Sequence, residues 1–357
     1  MINVTQTFLP PLEEYVAQLQ RIWDSKWLTN RGALVLELEA KLNELLGVKN
    51  LLVVNNGTIA LQIAIKALDL TGEIITTPFS YVATVSSIVW ENCTPVFVDI
   101  DPDYLTIDET KIEAAITEKT SAILATHVYG NPCDVEAIER IAKKYNLKII
   151  YDAAHCFGVK YKGESILKWG DVSTLSFHAT KLFHTGEGGG IVCQNDDLAH
   201  RIFYMHNFGH KGQEEFWGLG INGKISELQA AMGLTVLPHL DEIVAKRKSV
   251  FQLYDELLQN TPLEKPLIRE ETDYNYAYYP ILFPSENSLL SVKRALNDQD
   301  IYPRRYFYPG LERLPYVKQS DVSISTDISE RVLCLPLYDE LSFSSVVNIC
   351  SIIKSYL

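Results

Sequence analysis

The sequence predicts an α/β fold: a large domain over residues 1–240 built on a seven-stranded, mostly parallel sheet, and a smaller α/β domain over 241–357. Short apolar runs alternate with helical segments between residues 51 and 193, the pattern of parallel strands joined by helical crossovers. Polar turns follow most of these runs, which gathers reactive side chains at the carboxyl edge of the sheet. A long amphipathic segment, Asp241–Gln259, then ends the alternation and leads into a stretch of different pattern.

Pro10 and Pro11 open a first helix with apolar positions Leu12, Val16, Leu19, Ile22 and Trp23 at helical spacing. Ser25–Gly32 breaks it, and a second helix over Val35–Leu46 stops at Gly47. The apolar runs are Leu51–Val54, Glu73–Thr76, Pro95–Val98, Ala122–Thr126, Lys148–Tyr151, Ser173–Ser176 and Gly190–Cys193. Asn55-Asn-Gly-Thr58 follows the first and starts a helix over Ile59–Leu68, with Thr58 as a candidate cap. Thr77–Tyr81 follows the second, His127-Val-Tyr-Gly130 the fourth, Asp152 the fifth and the Lys181 segment the sixth. A Leu- and Ala-rich helix covers Ser226–His239, broken by Pro238. The last hundred or so residues read as Pro- and Tyr-rich turns, a strand at Tyr278–Phe283, a helix near Leu289–Asp298, an apolar run at Val332–Leu335 and a terminal helix.

Composition excludes several functions. A formal net charge of −13 disfavours duplex nucleic acid as a partner. The six cysteines show no C-x-x-C spacing, which argues against a zinc site or a disulfide framework and fits a reducing cytoplasm. The start, Met1-Ile-Asn-Val-Thr, has no signal pattern, and no run has the length of a membrane span.

The chemistry concentrates between Asp152 and Lys181. Asp152-Ala-Ala-His155 leaves one apolar run, and Ser176-Phe-His-Ala-Thr-Lys181 leaves the next. Singly, Asp152 could cap a helix and Lys181 could lie in solvent. Together they suit pyridoxal 5'-phosphate (PLP), which needs a lysine for covalent attachment and an acid to keep its pyridine nitrogen protonated. Gly57 and Thr58 at a strand-to-helix turn suit its phosphate, because free N–H groups start the helix there. Ser176 adds a hydroxyl to that phosphate set. Tyr81, in a polar turn, is placed to stack on the ring, and His155 to bond its phenolic oxygen. Arg304, Arg305, Tyr306 and Tyr308 share one C-terminal turn, where Arg suits a diphosphate and Tyr a sugar or base.

Two motifs mislead. Gly218-Leu-Gly-Ile-Asn-Gly223 matches a dinucleotide fingerprint, but no buried strand precedes it. His206 and His210 have metal-ligand spacing, but Asn207 and Gly209 interrupt any helix there. No metal site is expected.

These segments resemble the DegT/StrS family of PLP-dependent nucleotide-sugar aminotransferases over most of the chain. Asn56-Gly-Thr-Ile-Ala-Leu61 is similar to its S-G-T-A-A-L segment, and Pro78-Phe-Ser-Tyr-Val-Ala-Thr84 to P-S-F-T-F-V-A-T. Pro95–Asp101 and His127–Gly130 resemble V-F-V-D-x-D and H-x-Y-G. Asp152-Ala-Ala-His155 resembles D-A-A-Q with His in place of Gln. Ser176–Lys181 followed by Gly186-Glu-Gly-Gly189 resembles S-F-x-x-x-K…G-E-G-G, the most specific of these signatures. The resemblance implies the aspartate-aminotransferase fold (PLP fold type I) and a homodimer with shared active sites, Asn222 reaching the partner's PLP phosphate. It implies transfer of an amino group from L-glutamate to a nucleotide-linked keto sugar.

Ser25–Asn30, with Lys26 and Trp27, and Tyr306–Gly310 look most like the type that aminates dTDP-4-keto-6-deoxy-D-glucose at C4, a step toward O-antigen or another surface polysaccharide. His184, beside Lys181, is a further candidate sugar contact. One sequence leaves open dTDP against UDP and C3 against C4. A sugar dehydratase of the same fold carries His where Lys181 stands, and a non-catalytic regulatory homologue would not need Asp152, Lys181, Ser176 and Gly57 intact.

Overall fold

The computed structural model describes residues 1–357. A two-residue strand, β1 (Ile2–Asn3), precedes helix α1 (Leu12–Ser25) and helix α2 (Ala33–Leu46). α2 closes on Gly47 at φ 60°, a backbone conformation that glycine adopts without steric cost. The expected runs then become β2 (Asn50–Val54), β3 (Glu73–Thr76), β4 (Thr94–Phe97), β5 (Thr120–Thr126) and β6 (Lys148–Asp152). After a small hairpin, β7 (Lys160–Tyr161) and β8 (Glu164–Ser165), come β9 (Val172–Ser176) and β10 (Gly189–Cys193). Between and after them run α3 (Gly57–Ala67), α4 (Val82–Trp90), α5 (Glu109–Ala115), α6 (Val135–Tyr145), α7 (Asp196–Met205), α8 (Glu227–Val236) and α9 (Leu240–Leu258).

The seven expected strands form one sheet in the order β2-β10-β9-β6-β5-β3-β4. β10 runs antiparallel to both neighbours, and the other pairings are parallel. Side chains alternate between faces along each strand. Val53, Ile75, Ile123, Ile149, Tyr151 and Val192 join α2, α6 and α8 in one core. Their neighbours Leu52, Val54, Ile74, Leu124, Ile150 and Ile191 join α3 and α7 in another. Helices cover both faces, so the runs are apolar without interruption.

Two boundaries differ from expectation. α3 begins at Gly57, because Asn56 rather than Thr58 is the cap: its Oδ1 accepts the Ile59 N–H at 2.8 Å. The expected Ser226–His239 helix is α8, started by a Ser226/Gln229 capping box, then a short 3₁₀ turn over Leu237–His239 at Pro238.

A further core joins α9 to most of the C-terminal elements. The C-terminal elements are β11 (Thr272–Asp273), β12 (Tyr279–Leu282), α10 (Glu286–Asn297), β13 (Ile301–Tyr302), α11 (Ser323–Arg331), β14 (Val332–Leu335) and α12 (Phe343–Ser355). β12 pairs with β14 antiparallel. The chain crosses residue 240 in both directions: β1 pairs with β13, and β11 pairs with β7. No helix is long and apolar enough to cross a membrane.

Candidate active site

Strand register places the first half of the site. Asp152 ends β6, opposite Thr126 of β5 and Thr174 of β9, and Ser176 ends β9. β10 returns antiparallel, so its first residue, Gly189, faces the same edge. A Cβ on Gly189 would stand 2.6 Å from the Asn56 carbonyl carbon and 2.8 Å from Gly57 N. Only glycine lets the start of α3 sit this close to β10. Gly57 is nearly as tight, with Ser176 Cβ at 3.2 Å from a Cβ built there.

These ends open into a cavity of about 330 Å³. Gly57, Thr58, Tyr81, Asp152, His155, Ser176, Lys181, Arg304 and Tyr306 all line it. Asp152 is 5% exposed. Its Oδ2 accepts the Thr84 hydroxyl at 2.7 Å and its Oδ1 the Ala154 N–H at 3.2 Å. Thr84 is held in turn by Ser80, and Ser80 by Thr126. Burial pushes the Asp152 carboxyl above its usual range, only partly offset by Thr84, the Ala154 N–H and nearby Lys181. A cationic partner inside the cavity would reverse that cost.

His155 is buried and accepts the Tyr129 N–H at Nδ1, 3.1 Å away. Burial, then Lys181, holds its pKa well below the usual histidine range. The ring is therefore neutral and carries its proton on Nε2, a donor for an oxygen of a bound ring. Lys181 lies in the loop between β9 and β10, which Ala179–Gly186 and Thr185–Phe177 backbone bonds close. Its Nζ lies 3.1 Å from the Tyr278 hydroxyl.

The first N–H groups of a helix have no partner within it. Asn56 takes that of Ile59, which leaves those of Gly57 and Thr58, both at the cavity wall, for an anion. A buried acid without a cation, a lysine, and a helix start with free donors form a donor set that fits PLP.

The second wall corrects several expectations. Arg304 and Tyr306 face the cavity, the guanidinium carbon 5.2 Å from the Tyr306 ring centroid. Arg305 points away: it pairs with Glu286 at 2.7 Å, donates to the Ser329 and Glu330 carbonyls, and stacks on Tyr308 at 3.5 Å. Neither Arg305 nor Tyr308 lines the cavity, because Glu286 and the two carbonyls hold Arg305, and Tyr308 stacks on its guanidinium. His184 is also outside: it is 1% exposed, with Nε2 bonded to the Phe8 carbonyl and Nδ1 accepting the Gly186 N–H. It braces the loop that carries Lys181. Lys26 takes the left-handed position that ends α1, and Trp27 lies half-exposed against Gly32; neither lines this cavity. Asn222 lies outside too, in an exposed loop, where its Oδ1 accepts Lys224 Nζ at 2.8 Å.

Sequence reasoning missed Thr84 and Tyr278. Thr84 was within reach, since it sits one helical turn beyond Tyr81 in a segment already singled out. Tyr278 is 97 residues from Lys181 and has no local signal. The glycine fingerprint at 218–223 is a loop in which Gly220 packs against the backbone of Phe208 and Gly209, with no strand before it. His206 is buried against the Phe203 carbonyl, and His210 packs on Phe216.

Comparison with known proteins gives the chain's relatives. The chain is 45% identical over 360 residues to a dTDP-4-amino-4,6-dideoxy-D-glucose transaminase of Shigella dysenteriae, covering 99% of this chain and 98% of that one. It is 42% identical over 362 residues to a protein of the same name from Escherichia coli, again covering 99% and 98%. Its structure superposes on the crystal structure of DesI determined in the presence of its TDP-sugar product, with a TM-score of 0.93, 31% identity, and 99% and 92% of the two chains covered. The profile of one aminotransferase family matches residues 12–354. The chain belongs to the DegT/DnrJ/EryC1/StrS aminotransferase family, and its cofactor is pyridoxal phosphate.

Proposed function

We propose that the protein moves the amino group of L-glutamate onto C4 of dTDP-4-keto-6-deoxy-D-glucose, giving dTDP-4-amino-4,6-dideoxy-D-glucose. The observation that carries this reading is the meeting of Asp152, Lys181 and an Arg304 with no carboxylate partner in one cavity, on a chain 45% identical to a transaminase named for that product. Bound PLP supplies the electron-accepting ring. Asp152 holds the ring nitrogen cationic. Lys181 would anchor the cofactor and, when its amine is free, would carry the proton as a base. Gly57, Thr58 and Ser176 would hold the phosphate, Tyr81 would wall the ring, and the Nε2–H of His155 would be a donor for a ring oxygen. Arg304 and Tyr306 hold the anionic substrates from the opposite wall. The test is incubation with glutamate and a panel of keto sugars, with products identified by NMR. A dTDP sugar aminated at C4 is expected; a C3 amine, or turnover confined to UDP sugars, overturns the substrate assignment.

We infer further that the working unit is a homodimer with shared sites. Asn222 lies outside its own chain's cavity, and its amide N–H₂ stays free because Lys224 occupies Oδ1. Around it Phe208, Phe216, Trp217, Leu219 and Ile221 are exposed, an apolar surface suited to a second copy. Mixing Lys181→Ala and Asn222→Ala chains tests this. In a two-fold dimer one site would then carry both lesions and the other neither. Up to about half of wild-type activity per heterodimer should return in that symmetric arrangement. No recovery in verified heterodimers, with Asn222→Ala itself impaired, refutes sharing. The six buried free cysteines support a cytoplasmic setting, and a nucleotide-activated amino sugar is the form in which a sugar enters O-antigen or another surface polysaccharide.

A further inference from the structure

Tyr278 reaches the site from 97 residues beyond Lys181, and its place there is built. The Asn275 side-chain N–H₂ donates to the His155 and Phe157 carbonyls at 2.8 and 3.0 Å. Arg247, 4% exposed, donates to the Tyr276 and Ala277 carbonyls at 3.1 and 2.6 Å. The segment before β12 is thus fastened to the turn after Asp152 and to α9. Tyr278 itself is 8% exposed, its ring 4.7 Å from that of His155. Packing explains the ring. It does not explain the hydroxyl, which lies 3.1 Å from Lys181 Nζ.

We propose that Tyr278 is the positioning residue for the Lys181 amine, its phenolic oxygen accepting one N–H whenever that amine is free of the cofactor. The proposal rests on the aminotransferase reading above. A neutral lysine amine has two N–H bonds and one lone pair on a flexible four-carbon stem. Fixing one N–H on an oxygen narrows the arc that the lone pair sweeps, and correct aim is worth much in proton transfer. The substrate Cα–H bond then breaks toward Nζ: the proton joins the amine, giving an ammonium, and the electron pair goes to the bound ring. A carboxylate in the place of Tyr278 would favour the ammonium beforehand and remove the base. A neutral hydroxyl orients the amine without that penalty.

Tyr278→Phe keeps the ring and deletes the oxygen. For the glutamate half-reaction kcat should fall about tenfold to a hundredfold, within the reach of general base catalysis, while KM for glutamate changes little. The isotope effect with 2-deuterated glutamate should rise as Cα–H cleavage becomes more fully limiting. In cofactor-free protein, acetylation of Lys181 relative to exposed Lys49, followed by mass spectrometry, should speed up about fivefold on loss of one hydrogen bond. Unchanged kcat, isotope effect and acetylation overturn the proposal and leave Tyr278 a packing residue. If Tyr278→Phe does not fold, 4-fluorophenylalanine at 278 keeps a substituent of similar size in place of the hydroxyl and is a very poor acceptor. A change in the same direction is then expected, and no change overturns the proposal. Lys181→Ala serves as the control: if it retains near-normal turnover, the aminotransferase reading fails, whatever Tyr278 does.

Discussion

On the sheet side of the cavity Asp152 and Ser176 stand at the ends of adjacent strands, and pairing with Thr126 and Thr174 fixes where Asp152 can point. On the other side Arg304 and Arg305 are neighbours in sequence, yet only Arg304 faces the cavity. A strand end inherits its position from the whole sheet. The 304–308 segment has one isolated backbone pairing, Arg304 with Cys334, and each side chain beyond it is placed by its own partner. The first wall is set by register, the second residue by residue.

The sharpest test of the register-built wall is Asp152→Asn. Turnover should drop by about 10²–10³-fold, the size of losing one preorganised electrostatic contact; steady-state rates that barely move would reduce Asp152 to a helix cap. The same change should act oppositely on stability of the cofactor-free protein. The folded pKa of Asp152 is raised. Its contribution to stability is therefore fully present below the unfolded value of about 3.9 and is lost as pH rises through the folded value. Cofactor-free Asp152→Asn should melt at or above wild type at pH 7, and that advantage should vanish at low pH. A lower melting temperature at pH 7 would contradict the burial argument.

Next comes the other wall, taken one arginine at a time. Arg304→Ala should raise KM for an anionic substrate roughly 10- to 100-fold, the range of a charge-assisted hydrogen bond. Arg305→Ala should leave both substrate KM values near wild type and lower the melting temperature by a few degrees, since it breaks the Glu286 pair and two carbonyl contacts. Equal kinetic effects of the two substitutions would erase the contrast between the walls.

The smallest expected effect falls on Thr84, which acts through Asp152. Thr84→Val removes the hydroxyl that donates to Asp152 Oδ2 while keeping the shape. A several-fold loss of kcat is expected for one hydrogen bond to a charged group, with the lysine-bound absorption band retained. Complete loss of that band would show that Thr84 holds the fold of the site rather than the acid.

The same contrast explains how much of the molecule was legible. Each of the sheet's strands could be read, because buried parallel strands are short apolar runs whatever surrounds them. The placing of Asp152, His155, Ser176 and Lys181 at the cavity could be read because each ends or follows such a run. Arg305 and His184 could not, since Glu286, the Ser329 carbonyl and the Phe8 carbonyl that claim them lie away in sequence, and Tyr308 goes with Arg305, on which it stacks. Tyr278 escaped for the converse reason: the sequence marks a strand at Tyr278–Phe283, and nothing local marks a hydroxyl that meets a lysine 97 residues away.

The pairing of β1 with β13 and of β11 with β7 has a consequence for traffic through the site. The segments before and after residue 240 each lend a short strand to the other, so they are laced together rather than joined by one strap. A wide swing of one on the other would have to pull out a paired strand or the Asn275 contacts with His155 and Phe157. Amine donor and keto sugar would then pass in turn through one doorway, past side chains and loops at a mouth whose frame those paired strands tie together.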